Sequence, residues 1–185
     1  GRLAKIGETV KEEDHVEVRP AKRPIRYSYI AYHKPSGTIT SSPVPGLFPL
    51  GRLDKDSGGL LLLTDDGRVT NRLLNPEHTH EKEYVVITRE PLRSNFAPQM
   101  SGGIDIGDYV TRPCQMATIN DYTFRITLTE GKKHQIRRMC AALHVDITEL
   151  TRVRIMNIRL GRLTAGTHRP LTAPELSTLL KSLGL

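Results

Sequence analysis

The sequence predicts an α+β fold in which a mixed, largely antiparallel central sheet is flanked by helices. Three observations support this prediction. The uncharged run at 60–64 is closed by Asp-Asp-Gly, as in a strand buried on both faces. Residues 122–128 alternate apolar and polar side chains, as in a strand with one buried face. Residues 134–144 repeat apolar side chains at i, i+3, i+4 and i+7, as in an amphipathic helix.

The first half of the chain predicts three strands and one helix. Residues 27–33 are rich in tyrosine and predict the first strand, whereas 41–50 contain three prolines and predict a loop. After the run at 60–64, residues 68–74 predict a short helix that ends at Asn75-Pro76. Residues 84–88 predict the next strand, and we expect it to lie beside the 60–64 strand.

The second half adds two further helices and more of the sheet. Residues 91–100 predict a helix, and 102–113 predict a pair of turns. Residues 147–160 predict one or two strands, because arginines alternate there with valine and isoleucine. Thr172-Ala-Pro-Glu175 is a capping box that predicts a helix over 173–183, with leucines on one face. We interpret this last helix as structural.

Composition excludes several classes of protein. A hydrophobic content of 37% and a charged content of 25% over 185 residues indicate one large or two small folded domains. No apolar run approaches the length of a membrane-spanning helix, so we expect no membrane partner. Cys114 and Cys140 are far apart and predict free thiols in a reducing compartment, the cytoplasm. The histidines lack the spacing of a zinc site, so we expect no metal.

The distribution of charge indicates a polyanionic partner. The net charge is +7, and 131–169 contain nine basic residues against two acidic ones. This one stretch therefore accounts for the whole positive excess. Seven of its nine basic residues are arginines, which favour phosphate forks and stacking on bases. A solvated basic face is common, but it does not explain such concentration.

The most informative segment is Gly51–Gly67, with the sequence GRLDKDSGGLLLLTDDG. Its glycines allow close approach or positive φ, and they place Arg52 and Asp54 at the mouth of the buried strand. A structural turn is one interpretation, because Asp and Ser commonly bond their own backbone in such loops. A calcium loop fails, because EF-hand positions five and nine are Gly58 and Leu62 and no helix precedes them. A glycosidase pair of Asp54 and Asp56 is disfavoured, because residues two apart in an extended loop point in opposite directions.

The same segment resembles a known family. GRLD, then Ser57, GLLLLT and Asp-Gly, is similar to the signature of the pseudouridine synthases, in particular the RsuA/RluB/RluE/RluF branch that modifies ribosomal RNA. Cys140 and the run 151–157 are most similar to the RluF type, which implies large-subunit (23S) rRNA. The resemblance covers roughly 26–180 and implies the pseudouridine synthase fold, with two halves sharing one bent sheet and the active site in a central cleft.

The resemblance also implies roles for individual residues. Asp54 corresponds to the catalytic aspartate and Arg52 to a residue near the flipped nucleotide. Lys82-x-Tyr84 matches the motif whose tyrosine contacts the target base. Gly-Lys-Lys-His-Gln-Ile-Arg, ending at Arg137, matches the motif whose arginine pairs with the catalytic aspartate, although His134 stands where Arg or Asn is frequent. We expect catalysis by Asp54, Tyr84 and Arg137, and RNA binding by the basic residues Arg52, Lys132, Lys133, Arg138, Arg152 and Arg154.

These observations predict an isomerase that converts uridine to pseudouridine in rRNA after flipping the nucleotide out of its stack. The reaction is redox-neutral and needs no ATP, so no cofactor is expected. A non-catalytic RNA-binding protein is the alternative, as is a synthase for 16S rRNA or another structured RNA. Residues 26–185 are the expected catalytic domain, 19–25 a linker, and 1–18 the end of an S4-like RNA-binding domain. We expect a monomer, since nothing in the sequence indicates an obligate partner.

Overall fold

A computed structural model describes residues 26–185 and, before them, only the isolated positions 9, 11, 13 and 15. The predicted S4-like remnant (1–18) and linker (19–25) therefore lie outside the continuously described residues. Within 26–185 the chain forms nine strands and four α-helices, so the predicted α+β class is confirmed. The strands are β1 (Tyr29–Lys34), β2 (Phe48–Leu50), β3 (Gly58–Thr64), β4 (Lys82–Thr88), β5 (Gln115–Asn120), β6 (Thr123–Leu128), β7 (Ile147–Ile155), β8 (Ile158–Arg159) and β9 (His168–Pro170). The helices are α1 (Arg68–Leu74), α2 (Phe96–Ser101), α3 (Gln135–Ala142) and α4 (Ala173–Ser182).

All nine strands belong to one sheet. The order along it is β5-β6-β4-β7-β3-β1-β9, with β2 paired to β3 and β8 paired to β7. Only the β3–β7 pairing is parallel; the other pairings of the described strands are antiparallel. The sheet is thus mixed and largely antiparallel, as predicted. The expectation that the 60–64 and 84–88 strands are neighbours was wrong, because β7 inserts between β3 and β4.

Strand β3 is buried on both faces, as its sequence predicted, because all seven of its residues are buried. Leu60 and Leu62 face one core cluster together with residues of β1, α1 and α4. Leu61 and Leu63 face a smaller cluster on the other side, which is partly covered by the 41–50 segment. A separate cluster fills the other half of the sheet, between β4, β6, α2 and α3. The two halves of the sheet therefore have cores of their own.

The two halves meet at a short and tight junction. The parallel ladder between β3 and β7 pairs Gly58 with Thr151 and Gly59 with Arg152. Gly59 has φ +107°, and a Cβ there would lie 2.3 Å from the Arg152 carbonyl oxygen and 2.5 Å from its amide nitrogen. Only glycine allows the two backbones to approach this closely. The junction therefore depends on the glycine pair that precedes the leucine run.

Most helices form where the sequence predicted them. Helix α1 has the predicted bounds, and a short 3-10 helix at Pro76–His78 follows Asn75. Helix α4 has the predicted capping box: Thr172 accepts from the Glu175 amide, and the Glu175 carboxylate accepts from the Thr172 amide. Helix α2 starts later than the predicted 91–100 helix. The predicted loop at 41–50 ends in β2, which pairs with β3.

Candidate active site

A cavity of about 520 Å³ lies between the two halves of the sheet. Three segments contribute its polar walls: the loop before β3, the start of β4, and the loop between β6 and α3. The first brings Asp54, the second Tyr84, and the third His134, although these residues are 30 or more positions apart in the chain. The volume falls within the range of small-molecule pockets, so it has room for one nucleotide.

The loop that carries Asp54 is held in place by backbone contacts. The Asp54 carbonyl accepts from the Ser57 amide at 3.1 Å, which closes a tight turn. On the outer side, Thr40 Oγ1 donates to the Leu53 carbonyl at 2.8 Å and accepts from the Leu53 amide at 3.0 Å. The buried Lys34 ammonium donates to the Lys55 carbonyl. The Asp54 side chain is left 36% exposed at the cavity, on a backbone that these contacts fix.

The loop between β6 and α3 presents a histidine to Asp54. His134 Nε2 lies 3.3 Å from Asp54 Oδ1. His134 has a left-handed backbone (φ +52°), an uncommon conformation for a residue with a side chain, and it is the N-cap of α3. The buried Glu130 holds this loop by accepting from Gln135 Nε2 at 2.7 Å, and Gln135 Oε1 accepts from the Lys132 amide at 2.9 Å. The loop that presents His134 is thus anchored by the buried pair of Gln135 and Glu130.

The remainder of the cavity wall contains several basic residues among leucines and isoleucines. Arg152 is only 3% exposed, and Lys82 lines the cavity beside Tyr84. Burial and the nearby Arg152 charge lower the pKa of Lys82. Arg52 is exposed and lines both this cavity and an adjoining open groove. The site therefore combines one partly exposed carboxylate with a positively charged surround, which suits an anionic ligand.

Comparison with known proteins agrees with this arrangement. Residues 28–142 match the family model described as RNA pseudouridylate synthase. The chain belongs to the RNA pseudouridylate synthase family. It is 37% identical over 98% of its length to the dual-specificity RNA pseudouridine synthase RluF of Escherichia coli K12, of which it covers 68%. It is 32% identical over 97% of its length to the ribosomal small subunit pseudouridine synthase A of Yersinia pestis, of which it covers 85%.

Solved structures give the same result. A crystal structure titled pseudouridylate synthase superposes on 83% of this chain and 74% of its own, with a TM-score of 0.77 and 33% identity. The archaeal box H/ACA Nop10–Cbf5 complex matches 75% of this chain with a TM-score of 0.51 and 20% identity, which shows a shared fold only. The predicted resemblance to the RsuA/RluF type and the predicted isomerase class are confirmed: this synthase is an enzyme that acts on RNA.

The structure brings some predicted site residues of the synthase together. Asp54, Tyr84 and Arg52 all line the cavity, and so do Lys132 and Lys133 at its rim. Tyr84 is half-buried on β4, with Ile126 of β6 and Arg152 of β7 as its neighbours across the sheet. Lys132 also places its ammonium 4.2 Å from the centre of the Tyr109 ring.

The expected ion pair between Arg137 and Asp54 is not formed. Arg137 donates instead to the Asp56 carbonyl oxygen at 2.7 Å, and within 26–185 the basic side chain that pairs with Asp54 is His134. Arg137 thus contacts the same loop two residues further on. The hydrogen bond of Arg137 to the turn backbone therefore takes the place of the expected ion pair.

Three of the arginines expected to bind RNA are engaged within the protein. Arg138 donates to the Ile106 carbonyl and to Asp108. The Arg154 side chain is 14% exposed and pairs with two glutamates, Glu81 and Glu83. Arg152 is buried. Because strand β7 is central in the sheet, its arginines point into packed surroundings and not toward surface phosphates.

Sequence reasoning missed several residues of the site. Glu130 lies outside the family motifs, yet it is the buried hydrogen-bond acceptor that fixes the loop between β6 and α3. The sequence marked His134 only as a departure from the family pattern, and this departure was the one indication that His134 could have a role in the site. In the part of the chain that the structure describes, no cluster of three or more His, Cys, Asp or Glu residues could hold a metal ion. No helix among those residues is long and apolar enough to cross a membrane.

Proposed function

We propose that this synthase converts uridine to pseudouridine in ribosomal RNA, with large-subunit (23S) rRNA as the substrate and Asp54 as the catalytic residue. The observation that carries the proposal is the position of Asp54 at a cavity sized for one nucleotide and surrounded by cations. The likeness to the RluF type favours the large subunit. A small-subunit rRNA substrate is the competing outcome, because a relative with 32% identity is a ribosomal small subunit synthase.

The reaction breaks the C1′–N1 glycosidic bond, turns the uracil and joins its C5 to C1′; C5 loses its proton and N1 gains one, without net oxidation. Asp54 acts at the ribose as nucleophile or base, which requires an ionised carboxylate. His134 faces that carboxylate in the RNA-free protein. Tyr84 is proposed to stack on the flipped uracil, because it is the half-buried aromatic in the cavity wall. Arg137 is proposed to keep the Asp54 turn in place through Asp56.

RNA outside the cavity is proposed to contact the exposed basic residues at its mouth. Arg52 extends from the rim into the adjoining groove, where it can occupy the space that the flipped nucleotide leaves. Lys132 and Lys133 lie on the opposite rim. Phosphate contacts of this kind supply affinity that decreases with salt. Residues 26–185 are proposed as the catalytic domain, preceded by an S4-like RNA-binding segment, and the protein as a monomer without a cofactor.

The test compares three proteins on ribosomal RNA from cells that lack the endogenous enzyme: wild type, Asp54→Asn and Asp56→Asn. Pseudouridine is mapped by carbodiimide-dependent reverse-transcription stops, and RNA binding is measured in parallel. Asp56 is the matched control, because it lies in the same loop, is exposed, and contributes only its carbonyl to the Arg137 contact. Asp54→Asn is expected to reduce the rate by about 10⁴-fold or more, as when a nucleophile or base is removed.

The position of the stop also identifies the substrate. A stop in 23S rRNA that requires Asp54 but not the Asp56 carboxylate supports the whole proposal. A stop confined to 16S rRNA would replace the large-subunit assignment and keep the chemistry. Binding without any pseudouridine would favour the non-catalytic alternative, and a stop that survives Asp54→Asn would remove Asp54 from its role.

A further inference from the structure

A buried arginine, Arg152, connects the central strand β7 to the loop that carries Asp54. Its Nε donates to the Leu60 carbonyl at 2.7 Å, and its Nη1 contacts the Arg52 carbonyl at 3.4 Å. One planar group therefore contacts the chain two residues before Asp54 and six residues after it. The backbone of Arg152 also packs against Gly59, so the strand and its side chain are fixed together.

The charge of Arg152 lacks an ionic partner in the part of the chain that the structure describes. Among residues 26–185 no carboxylate pairs with it, and its Nη2 is buried without a hydrogen-bond acceptor. Arg154, two positions along the same strand, pairs with Glu81 and Glu83. Burying an unpaired guanidinium is costly, and an apolar residue of similar size would serve stability as well or better. The positive charge itself therefore needs a reason beyond packing.

The cavity supplies that reason. Arg152 and Asp54 both line it. Ser57, which lies in the Asp54 loop, also lines the cavity and, like Arg152, has a buried polar atom without a hydrogen-bond partner. Burial together with the charge of Arg152 lowers the pKa of Lys82, which lines the same cavity. Arg152 and Asp54 therefore belong to one cavity wall, and the guanidinium reaches the Asp54 loop through the Arg52 carbonyl.

We propose that Arg152 is a positioning residue of the synthase reaction, which holds the Asp54 loop on both sides through its guanidinium. The inference rests on the proposed function, in which Asp54 is catalytic. It assigns Arg152 to the enclosed side of the site and not to RNA phosphates. A rigid loop keeps the carboxylate at its working distance.

The experiment measures single-turnover pseudouridine formation at limiting and at saturating protein, on the RNA that the wild-type protein modifies. Four proteins are compared: wild type, Arg152→Met, Arg152→Lys and the control Arg125→Met. Arg125 lies on β6, is half-exposed, and pairs with Glu83 outside the cavity. RNA affinity and thermal unfolding are measured for each protein, so that loss of binding or of folded protein is separated from loss of catalysis.

Arg152→Met is expected to reduce the rate about 100-fold, the cost of a misplaced catalytic group, with RNA affinity within about twofold of wild type. The loss should appear in the rate at saturating protein, because the role of Arg152 is to position the catalytic loop and not to bind RNA. Arg152→Lys should restore part of the rate, since an ammonium can donate to one carbonyl but cannot replace the fork. Arg125→Met should leave the rate and the RNA affinity unchanged.

Three results would overturn the proposal. The first is an Arg152→Met rate equal to that of wild type at saturating protein, and the second is a loss that Arg152→Lys does not relieve. The third is a rate that falls in parallel with RNA affinity, which would return Arg152 to RNA binding. A wild type that makes no pseudouridine, or an active Asp54→Asn variant, refutes the proposed function instead, so the two failures are distinguishable.

Discussion

The glycine at the junction of the two half-sheets provides a sharp test of the fold. In Gly59→Ala the new Cβ would lie 2.3 Å from a backbone oxygen and 2.5 Å from a backbone nitrogen of Arg152. Ordinary contact needs about 3.4 Å, so β3 and β7 would have to separate by roughly 1 Å. These neighbours are backbone atoms in the middle of a sheet and cannot rotate away as the end of a side chain can.

The cost has two parts. A residue with a Cβ at φ +107° is strained by about 1–2 kcal/mol. Separation of the β3–β7 ladder adds about 2 kcal/mol or more, because it weakens backbone hydrogen bonds and opens packing on both sides of β3. We therefore expect a loss of about 3–4 kcal/mol in the free energy of unfolding. In a domain of this size that corresponds to roughly 6–16 °C in Tm.

The assay is urea unfolding followed by circular dichroism, with thermal unfolding as a second measurement. Gly67→Ala is the matched control, because Gly67 has an ordinary helical backbone and no atom within 4 Å of its added Cβ. Its loss should stay below about 1 kcal/mol. A Gly59→Ala protein as stable as the Gly67→Ala protein would refute the close approach of β3 to β7, and with it the support that Arg152 gives to the Asp54 loop.

Three further predictions concern buried or capped groups. Hydrogen bonds from Arg68 hold the pKa of Asp66 to about 2, below its ordinary 3.8, so wild type keeps this stabilisation above pH 4 and loses it as the pH falls toward 2. Asp66→Asn should lower the free energy of unfolding by about 2 kcal/mol at pH 7. Urea unfolding should show this difference from wild type narrowing as the pH falls from 4 toward 2; a difference that does not change with pH would contradict the link between the Asp66 pKa and stability. Thr172→Ala breaks the α4 capping box and should lower the free energy of unfolding by about 1 kcal/mol. Thr178→Ala is the control, because Thr178 is an exposed residue within the same helix, and it should not lower stability. Equal urea midpoints for the two variants would exclude the cap as a source of stability. Burial raises the pKa of Cys140 to about 12, so a thiol reagent at pH 8 should label it only on unfolding, and rapid labelling of the native protein would be inconsistent with its burial.

The sequence predicted the strands and helices whose residues carry a clear local pattern. The leucine run identified β3, and the apolar spacing and capping box identified α3 and α4. Strands β5 and β9 were missed, because β5 is an exposed edge strand without alternation and β9 has only three residues. The order of the strands in the sheet could not be predicted either, because no local sequence pattern shows that β7 lies between β3 and β4.

The site shows the same division. Family motifs located Asp54 and Tyr84, and both line the cavity. The motifs did not show which side chain meets the Asp54 carboxylate, because the left-handed backbone of His134 and the buried Gln135–Glu130 hydrogen bond beside it leave no local pattern in the sequence. The alternation of arginines with valine and isoleucine in β7 also did not distinguish the buried Arg152 from a surface residue. Arg152 is buried because β7 is central in the sheet, which the sequence does not show.

The place of β7 also has a consequence for synthesis of the chain. Strands β1 to β4 are translated well before residues 147–155, yet β7 occupies the position between β3 and β4. The growing chain cannot join its two half-sheets until β7 has emerged, and β1 waits even longer for β9. Pairing of segments so distant in sequence carries a loop-closure cost that slows folding. The leucines of β3 can pair with β1 and β2, which precede them in the chain, but the Gly58-Gly59 end of β3 and the β7-facing edge of β4 stay unpaired for much of translation. Open strand edges of this kind are where the growing chain can misassemble before the enzyme is complete.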